Sequence, residues 1–529
     1  MLHDLLMGAR FLVDLPRFLR HPVTIEEARA TLNRRFERRE ENFLSLVKRT
    51  IYDHPPSPYR ALLQHAGCEP GDLARLVRQA GIEGALQVLL RHGVYLTVNE
   101  FKGRSIVRRG SATVSAESGR FRNPLSVLHG LAASSGSRGR PTVVPLDLHF
   151  VREMAVTVCV AFDARQALDW VYSRWAEPGQ LGPHLLYPAF GIRTEHWFSP
   201  LDPAGPALHA RYRWSGRALR WGSRLAGVPL QAPEPVTAEA PEPILAWLVD
   251  ILRSRRVPLL VSYASNLVRL SEAARRAGID LSGGRFMTIG EPLTPARATA
   301  IRQCGADVTP AYGTMEVGFI AQGCTAPETS DDAHVYHDLV SVVATQSPDE
   351  VPGLPAGALF VSSLQPSAPL VLLNVSLGDQ ATLTRRNCGC PLAGAGWPVH
   401  VHTIRSFEKL TAGGMSFLDA DLIRVLEEVL PARFGGTSTD YQLVEEETGN
   451  GVPVVRLLVH PDVGPLDDQA VAEAFLEAIG SGSGSNRVMS ILWRSAGLLH
   501  VERKPPLMTT SGKILHLHVE RQTASGPSA

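Results

Sequence analysis

The chain has 529 residues, of which 44% are hydrophobic and 20% charged, and its formal net charge is +1. That length is too great for one core and implies roughly three or four compact units. The near-neutral balance gives no electrostatic case for nucleic acid or an acidic membrane surface, no apolar run approaches the length of a membrane span, and six scattered cysteines make no disulfide framework and point to a reducing cytosol.

The first twenty residues, MLHDLLMGARFLVDLPRFLR, are leucine-rich, but Asp4, Arg10, Asp14 and Arg17 interrupt them too often for a secretory signal. Residues 24–50 carry apolar positions at helical spacing on a charged background, and a further helix begins at Ser57-Pro58. Residues 94–107 read as extended with a turn at Lys102-Gly103. Small residues then crowd 132–139, with Arg138 and Arg140 after the first glycine; such a stretch is either a phosphate cradle or a plain flexible linker. Asp147 to Phe162 suits an apolar helix, Trp170 to Trp175 continues a buried pattern, and aromatics gather around Gly191 as core or as the wall of a pocket. The Pro/Ala/Glu segment 231–243 reads as an exposed connector. A helix (244–255), a strand (257–263) and a helix (267–277) follow.

Residues 284–320 form the most informative stretch. A short apolar run ends at Gly290-Glu291-Pro292, and a helix runs from about Thr294 to Cys304 with Pro295 near its start and Gly305 past its end. A second run then delivers Tyr312-Gly313-Thr314-Met315-Glu316 onto a turn. Strand, helix, strand puts both polar loops at the carboxyl edge of an α/β sheet, where ligands bind. Thr314 supplies a hydroxyl and Glu316 a hard carboxylate oxygen, the groups a magnesium-bound nucleotide needs; a glycine turn with an exposed Glu is the alternative. Beyond Ile320 come short strands (358–362 and 370–375, the second ending at Leu377-Gly378-Asp379), a charged turn with a Gly-Gly break (405–418), helices 420–429 and 469–479 around a hairpin turning at 447–451, and Pro505 to Ile514 as the last ordered feature. The alternation predicts an α/β class: a large multi-layer N-terminal domain (1–404) with parallel-rich sheets and a small α+β C-terminal domain (405–529).

Seven segments in one order resemble the adenylate-forming superfamily, most closely its phenylacetate–coenzyme A ligase branch. These are SPYRALLQHAG (57–67), ASSGSRGRPT (133–142), VSYASNL (261–267), GEP (290–292) with YGTME (312–316), LGD (377–379), RSFEKLTAGGMSFL (405–418) and SGKI (511–514). The resemblance implies an ATP-dependent ligase that converts a carboxylic acid into an acyl-adenylate and passes the acyl group to a thiol, with coenzyme A as co-substrate. Ser134, Ser135, Gly136, Ser137 and Gly139 would grip the β/γ-phosphates. Gly290, Glu291 and Pro292 would lie by adenine and the acyl group, Tyr312 and Gly313 would wall the adenine, Thr314 would meet the α-phosphate and Glu316 would hold Mg2+. Asp379 would accept the ribose hydroxyls, Arg405 would stand at the domain junction, and Lys513 would reach in from a mobile small domain. An aryl or unsaturated acid is the preferred substrate.

The resemblance also implies a structural Zn2+ on Cys324, His334, Cys388 and Cys390, with His337 as the alternative to His334. Several positions depart from the family pattern: Arg138 and Arg140 in the phosphate loop, Asn374 ahead of Asp379, Ile404 before Arg405, and Phe407 with Glu408 next to it at the hinge. They leave open a carrier protein or an amine in trans as the acceptor, and a non-catalytic nucleotide-binding homologue as the competing class. The oligomeric state stays open between monomer and homodimer.

Overall fold

Twelve strands form one continuous sheet whose two halves follow different rules. From one edge, Val340–Ala344, Ala358–Ser363, Val375–Arg385, Val399–Ser406, Ala333–Val335 and Gly318–Gly323 each run antiparallel to their neighbours. Asp307–Thr314 then pairs antiparallel with Gly318–Gly323 on one side and parallel with Arg285–Thr288 on the other. Beyond it, Pro258–Ser262, Val171–Trp175, Thr194–Ser199 and Pro233–Pro235 are all parallel. The computed structural model describes residues 2–110, 112–114, 118–133, 143–176, 181–200, 210–237, 240–407, 410–412, 415–417, 419–447, 453–481, 490–491, 493–494, 498–509 and 512–521.

The parallel half is buried on both faces, as its crossover helices require. Along Pro258–Ser262, Leu259 and Val261 join the core shared with helix Leu148–Ala164, whereas Leu260 joins the one formed by helices Glu242–Arg253 and Ala264–Arg276. Helix Pro295–Arg302 starts as its sequence dictates: the Thr294 hydroxyl accepts from Arg297 N at 3.3 Å, and Pro295 takes the first position, where no N–H is needed.

A separate four-stranded sheet, in the order Leu499–Arg503, Pro453–Val459, Tyr441–Glu447, Leu517–Arg521, packs on helix Asp468–Gly480 and the helical run from Asp419 to Phe434 around its own core. The fold class is therefore the α/β body with a small α+β C-terminal domain that the pattern predicts. Strand Val399–Ser406 crosses the expected 404/405 boundary, with Arg405 paired to Gln380 in the large sheet.

Four local expectations need correction. Residues 98–101 are helical rather than extended, because Thr97 and Glu100 form a reciprocal capping box. The 231–243 connector contributes the edge strand Pro233–Pro235, a place where proline's missing N–H faces no neighbour. Asp379 lies inside the long strand Val375–Arg385 instead of following a strand that ends at 375. Order does not stop at Ile514, since Leu517–Arg521 pairs parallel with Tyr441–Glu447.

Candidate active site

The switch between parallel and antiparallel halves falls at Asp307–Thr314, and this is where the site is built. Thr314 pairs with Gly318, which leaves Met315, Glu316 and Val317 as the turn of a hairpin. Gly318 closes it at φ +83°, the left-handed residue such loops require. A Cβ on Gly313 would lie 2.5 Å from the Gly318 carbonyl oxygen, and one on Gly318 would lie 2.4 Å from Met154 Sδ, so neither position has room for a side chain. The hairpin thus projects Thr314 and Glu316 into a cavity of about 520 Å³. Also lining it are Gly290, Glu291, Pro292, Tyr312, Gly313, Asp379, Arg405 and Lys513, so the cavity gathers stretches more than two hundred positions apart in sequence.

Each polar group in this wall has a distinct state. The Thr314 hydroxyl oxygen is buried and, among the described residues, has no hydrogen-bond partner, a condition that costs about 1–3 kcal/mol until an acceptor or donor arrives. Glu316 is buried in the hairpin turn. Tyr312 donates its hydroxyl to Asp379 Oδ2 at 2.9 Å; burial, and then the Asp379 carboxylate, hold that hydroxyl well above its usual pKa, so it stays a donor. Lys513 Nζ stands over the Tyr263 ring, 4.9 Å from its centroid, and 2.8 Å from where a Cβ on Gly290 would be. A turn aims it: Thr509 N donates to the Lys513 carbonyl at 2.8 Å, and Lys513 N donates to Thr509 Oγ1 at 3.1 Å. Arg405 pairs with Asp331 at 3.0 Å, and Asp331 also accepts from the N–H groups of Thr403 and Ile404.

Glu291 is fully engaged by protein. It accepts from Ser265 N at 2.8 Å, Ser265 Oγ at 3.0 Å and Ile514 N at 3.2 Å, and pairs with Arg297 at 3.1 Å. Arg297 in turn lies 2.7 Å from Glu427, which accepts from His516 Nε2 at 2.7 Å and from the Thr294 hydroxyl. This buried network fastens the small domain, and with it Lys513, against the loop that carries Gly290. Sequence reasoning missed Arg297, Glu427 and His516: Arg297 lies only six positions beyond Glu291, but what it does there is set by Glu427 and His516 of the small domain, and pairings at that sequence distance leave no local pattern. The phosphate-loop candidates Ser134, Ser135, Gly136, Ser137 and Gly139, together with Arg138, Arg140 and Glu408, lie outside the described residues.

A second cluster lies on the antiparallel half. Cys324, His334, Cys388 and Cys390 present ligand atoms within 4.8 Å of one another. Cys324 Sγ and Cys388 Sγ are 3.7 Å apart, and His334 Nε2 is 3.6 Å from Cys388 Sγ and 3.0 Å from Cys390 Sγ. A tetrahedron with Zn–S of about 2.3 Å and Zn–N of about 2.0 Å has edges of roughly 3.5–3.8 Å; the 3.7 and 3.6 Å separations match it, the 3.0 Å one would have to widen, and the one-nitrogen, three-sulfur donor set is that of a closed zinc site. His334 Nδ1 lies 2.6 Å from the Trp397 carbonyl, which can only accept; Nδ1 therefore carries the proton and Nε2 is free to ligate. Burial opposes ionisation of Cys390, but the His334 imidazole and the N–H of Ala393 bring its thiol down to about 5. His337, the alternative ligand, packs against Phe36 instead.

No family model and no curated protein matches the sequence. Among solved structures, 2-hydroxyisobutyryl-CoA ligase in the postadenylation state with 2-HIB-AMP superposes with a TM-score of 0.52 at 14% identity, covering 95% of this chain and 91% of that one. The same ligase in complex with R3-HIB-AMP gives a TM-score of 0.50 at 15% identity over 95% and 91% of the two chains. At these identities the likeness is one of architecture: the chain has the fold of the adenylate-forming acyl-CoA ligases.

Proposed function

We propose that this chain is an AMP-forming acid–thiol ligase. One observation carries the reading: a hydroxyl without a partner among the described residues (Thr314), two carboxylates (Glu316 and Asp379) and a lysine from the small domain (Lys513) converge on one cavity of ligand size. Each group fits a demand of the chemistry. Asp379, steadied by Tyr312, would accept from the two ribose hydroxyls, both of which are donors. Thr314 would donate to the α-phosphate of ATP. Glu316 would hold Mg2+, which when bound neutralises phosphate charge.

In the first half-reaction a carboxylate oxygen of the acid attacks the α-phosphorus, the bond to pyrophosphate breaks, and the acyl-adenylate remains. Lys513 would stabilise the negative charge that gathers on the phosphoryl oxygens. In the second, a thiol sulfur attacks the acyl carbonyl, loses its proton and expels AMP. Coenzyme A is the favoured thiol; a carrier-protein thiol or an amine in trans is the alternative, motivated by Ile404, Phe407 and Glu408 at the hinge. The aromatic and apolar wall formed by Phe150, Met154, Tyr187, Tyr263 and Phe319 favours an aryl or unsaturated acid. Cys324, His334, Cys388 and Cys390 would hold a structural Zn2+, which with four protein ligands keeps no open position for substrate.

Pyrophosphate–ATP exchange across aryl, unsaturated, aliphatic and amino acids tests the reading. Acid-dependent exchange is expected with at least one class. Normal ATP binding with no exchange for any acid would instead make the chain a non-catalytic nucleotide-binding homologue.

A further inference from the structure

Strand Val171–Trp175 carries an unusual passenger. Val171 and Trp175 face the core of helices Glu242–Arg253 and Ala264–Arg276, whereas Tyr172 faces the opposite core, and alternation puts Arg174 on the same side as Tyr172. Arg174 is 4% exposed and lines the cavity beside Leu186, Tyr187, Val261 and Tyr263. Among the described residues it forms no ion pair with a carboxylate, and its buried Nε has no hydrogen-bond partner. Two neighbours flank it: the Tyr172 hydroxyl faces the guanidinium itself, and His184 Nε2 is a buried polar atom without a hydrogen-bond partner among the described residues. Burial, and then the Arg174 charge, push His184 well below its ordinary pKa, so it is neutral and offers no positive charge of its own.

An unpaired buried guanidinium is costly unless something else neutralises it. Its position says which end of the cavity it serves. Trp175, Ser262, Thr288 and Pro310 are in register across the sheet, so Arg174 sits three strands from the strand that carries Thr314, about 14 Å at ordinary strand spacing. The anion it awaits is therefore separate from the phosphates handled at Thr314.

We propose that Arg174 receives a second carboxylate, so that the acid taken by this cavity is a dicarboxylic acid. One carboxylate is presented to Thr314 and Lys513; the other forms a forked pair with the guanidinium, which Tyr172 and His184 back from outside the cavity wall. The spacer between them passes Tyr187 and Tyr263, which suits a flat or unsaturated chain. This assignment rests on the adenylation reading of the same cavity.

The experiment compares diacids (terephthalate, muconate and a saturated series) with their monomethyl esters, by pyrophosphate exchange and by calorimetric binding without ATP, in the wild type and in Arg174→Met and Arg174→Lys. Diacids should exceed their half-esters by at least about 100-fold in kcat/KM, since a site built around a buried charge rejects ligands that leave it unpaired. Arg174→Met should shrink that ratio to below about tenfold with an unchanged KM for ATP and coenzyme A, and Arg174→Lys should restore part of it. The ligand-free Arg174→Met protein should melt no lower than the wild type, because an unpaired buried charge has been removed. Robust exchange in which half-esters or simple monoacids match the diacids would overturn the inference while leaving the ligase reading intact. Arg174-dependent diacid binding without exchange would sink the ligase reading and keep the subsite. Failure of diacids to outbind half-esters in both assays overturns the subsite, as does an Arg174→Met effect confined to ATP or coenzyme A.

Discussion

Lys513 and Gly290 show how much of the proposed chemistry depends on single atoms. Lys513→Ala should lower pyrophosphate exchange by about 10²–10³ while ATP binding survives, the usual cost of removing a preorganised charge from a developing anion; unchanged exchange would move the role elsewhere. Gly290 has φ +66°, and a Cβ there would press on the lysine ammonium and on Tyr263, at 2.8 and 3.3 Å. Gly290→Ala should therefore reduce exchange by displacing Lys513, with a stability loss of only about 1–2 kcal/mol for the left-handed alanine. A melting curve alongside the kinetics separates the two effects. Asn374, a departure from the family pattern, has a structural task of its own: its side-chain amide donates to the carbonyls of Leu86 and Val94 while its backbone sits at φ +48°.

At the level of elements, the four N/S ligands belong to the antiparallel half. Cys324 directly follows strand Gly318–Gly323, His334 lies within its neighbour Ala333–Val335, and Cys388 and Cys390 lie in the segment between Val375–Arg385 and Val399–Ser406. A metal there would tie four strands together. Protein purified without added metal should contain close to one zinc per chain by elemental analysis. Cys390→Ser should lose the metal and lower the melting temperature, whereas substoichiometric zinc in the wild type would count against the site. Legibility at this level was uneven. The helix Pro295–Arg302 could be read directly from Thr294, Pro295 and Gly305, because capping is local. The strand Val375–Arg385 could not be bounded, since Leu377-Gly378-Asp379 looks like a turn until its pairing with Val399–Ser406 is known.

Across the whole molecule, the small domain is held by buried charge. Burial works against ionisation of Glu427, but Arg297, followed by His516 and Thr294, draws its carboxyl down to about 2. A depressed carboxylate contributes stability that is present above its ordinary value of 4.5 and is lost as pH falls toward about 2. Arg297→Met should strand Glu427 and Glu291, cost about 3–5 kcal/mol, and speed hydrogen exchange at Ile514, whose N–H donates to Glu291. Protection at Ile514 that survives the substitution would show that this network does not fasten the domain. Glu272 behaves in the opposite way. Burial, and then Asp440 of the small domain, raise it from 4.5 to about 7, against the weaker pull of Thr437, Arg276 and Arg269. Its contribution is complete below 4.5 and is lost as pH rises through about 7, because the folded state binds the extra proton. The melting temperature of Glu272→Gln should be flatter with pH than that of the wild type across this window; parallel curves would exclude Glu272 as the titrating group.

The sequence by itself determined the α/β class, the separate α+β unit at the C-terminus, and the candidate residues Thr314, Glu316, Asp379 and Lys513, because helix caps, strand periodicity and ordered motifs are written along the chain. Only the tertiary structure decided what surrounds them. It put Glu291, which lines the cavity, at the centre of an ion network with Arg297 and Glu427, brought His334 rather than His337 to the cysteine cluster, and exposed Arg174 as a buried cation with no ion pair to a carboxylate among the described residues. Each of these depends on partners from distant strands, and a pairing across space is fixed by how the elements pack rather than by any spacing within one of them.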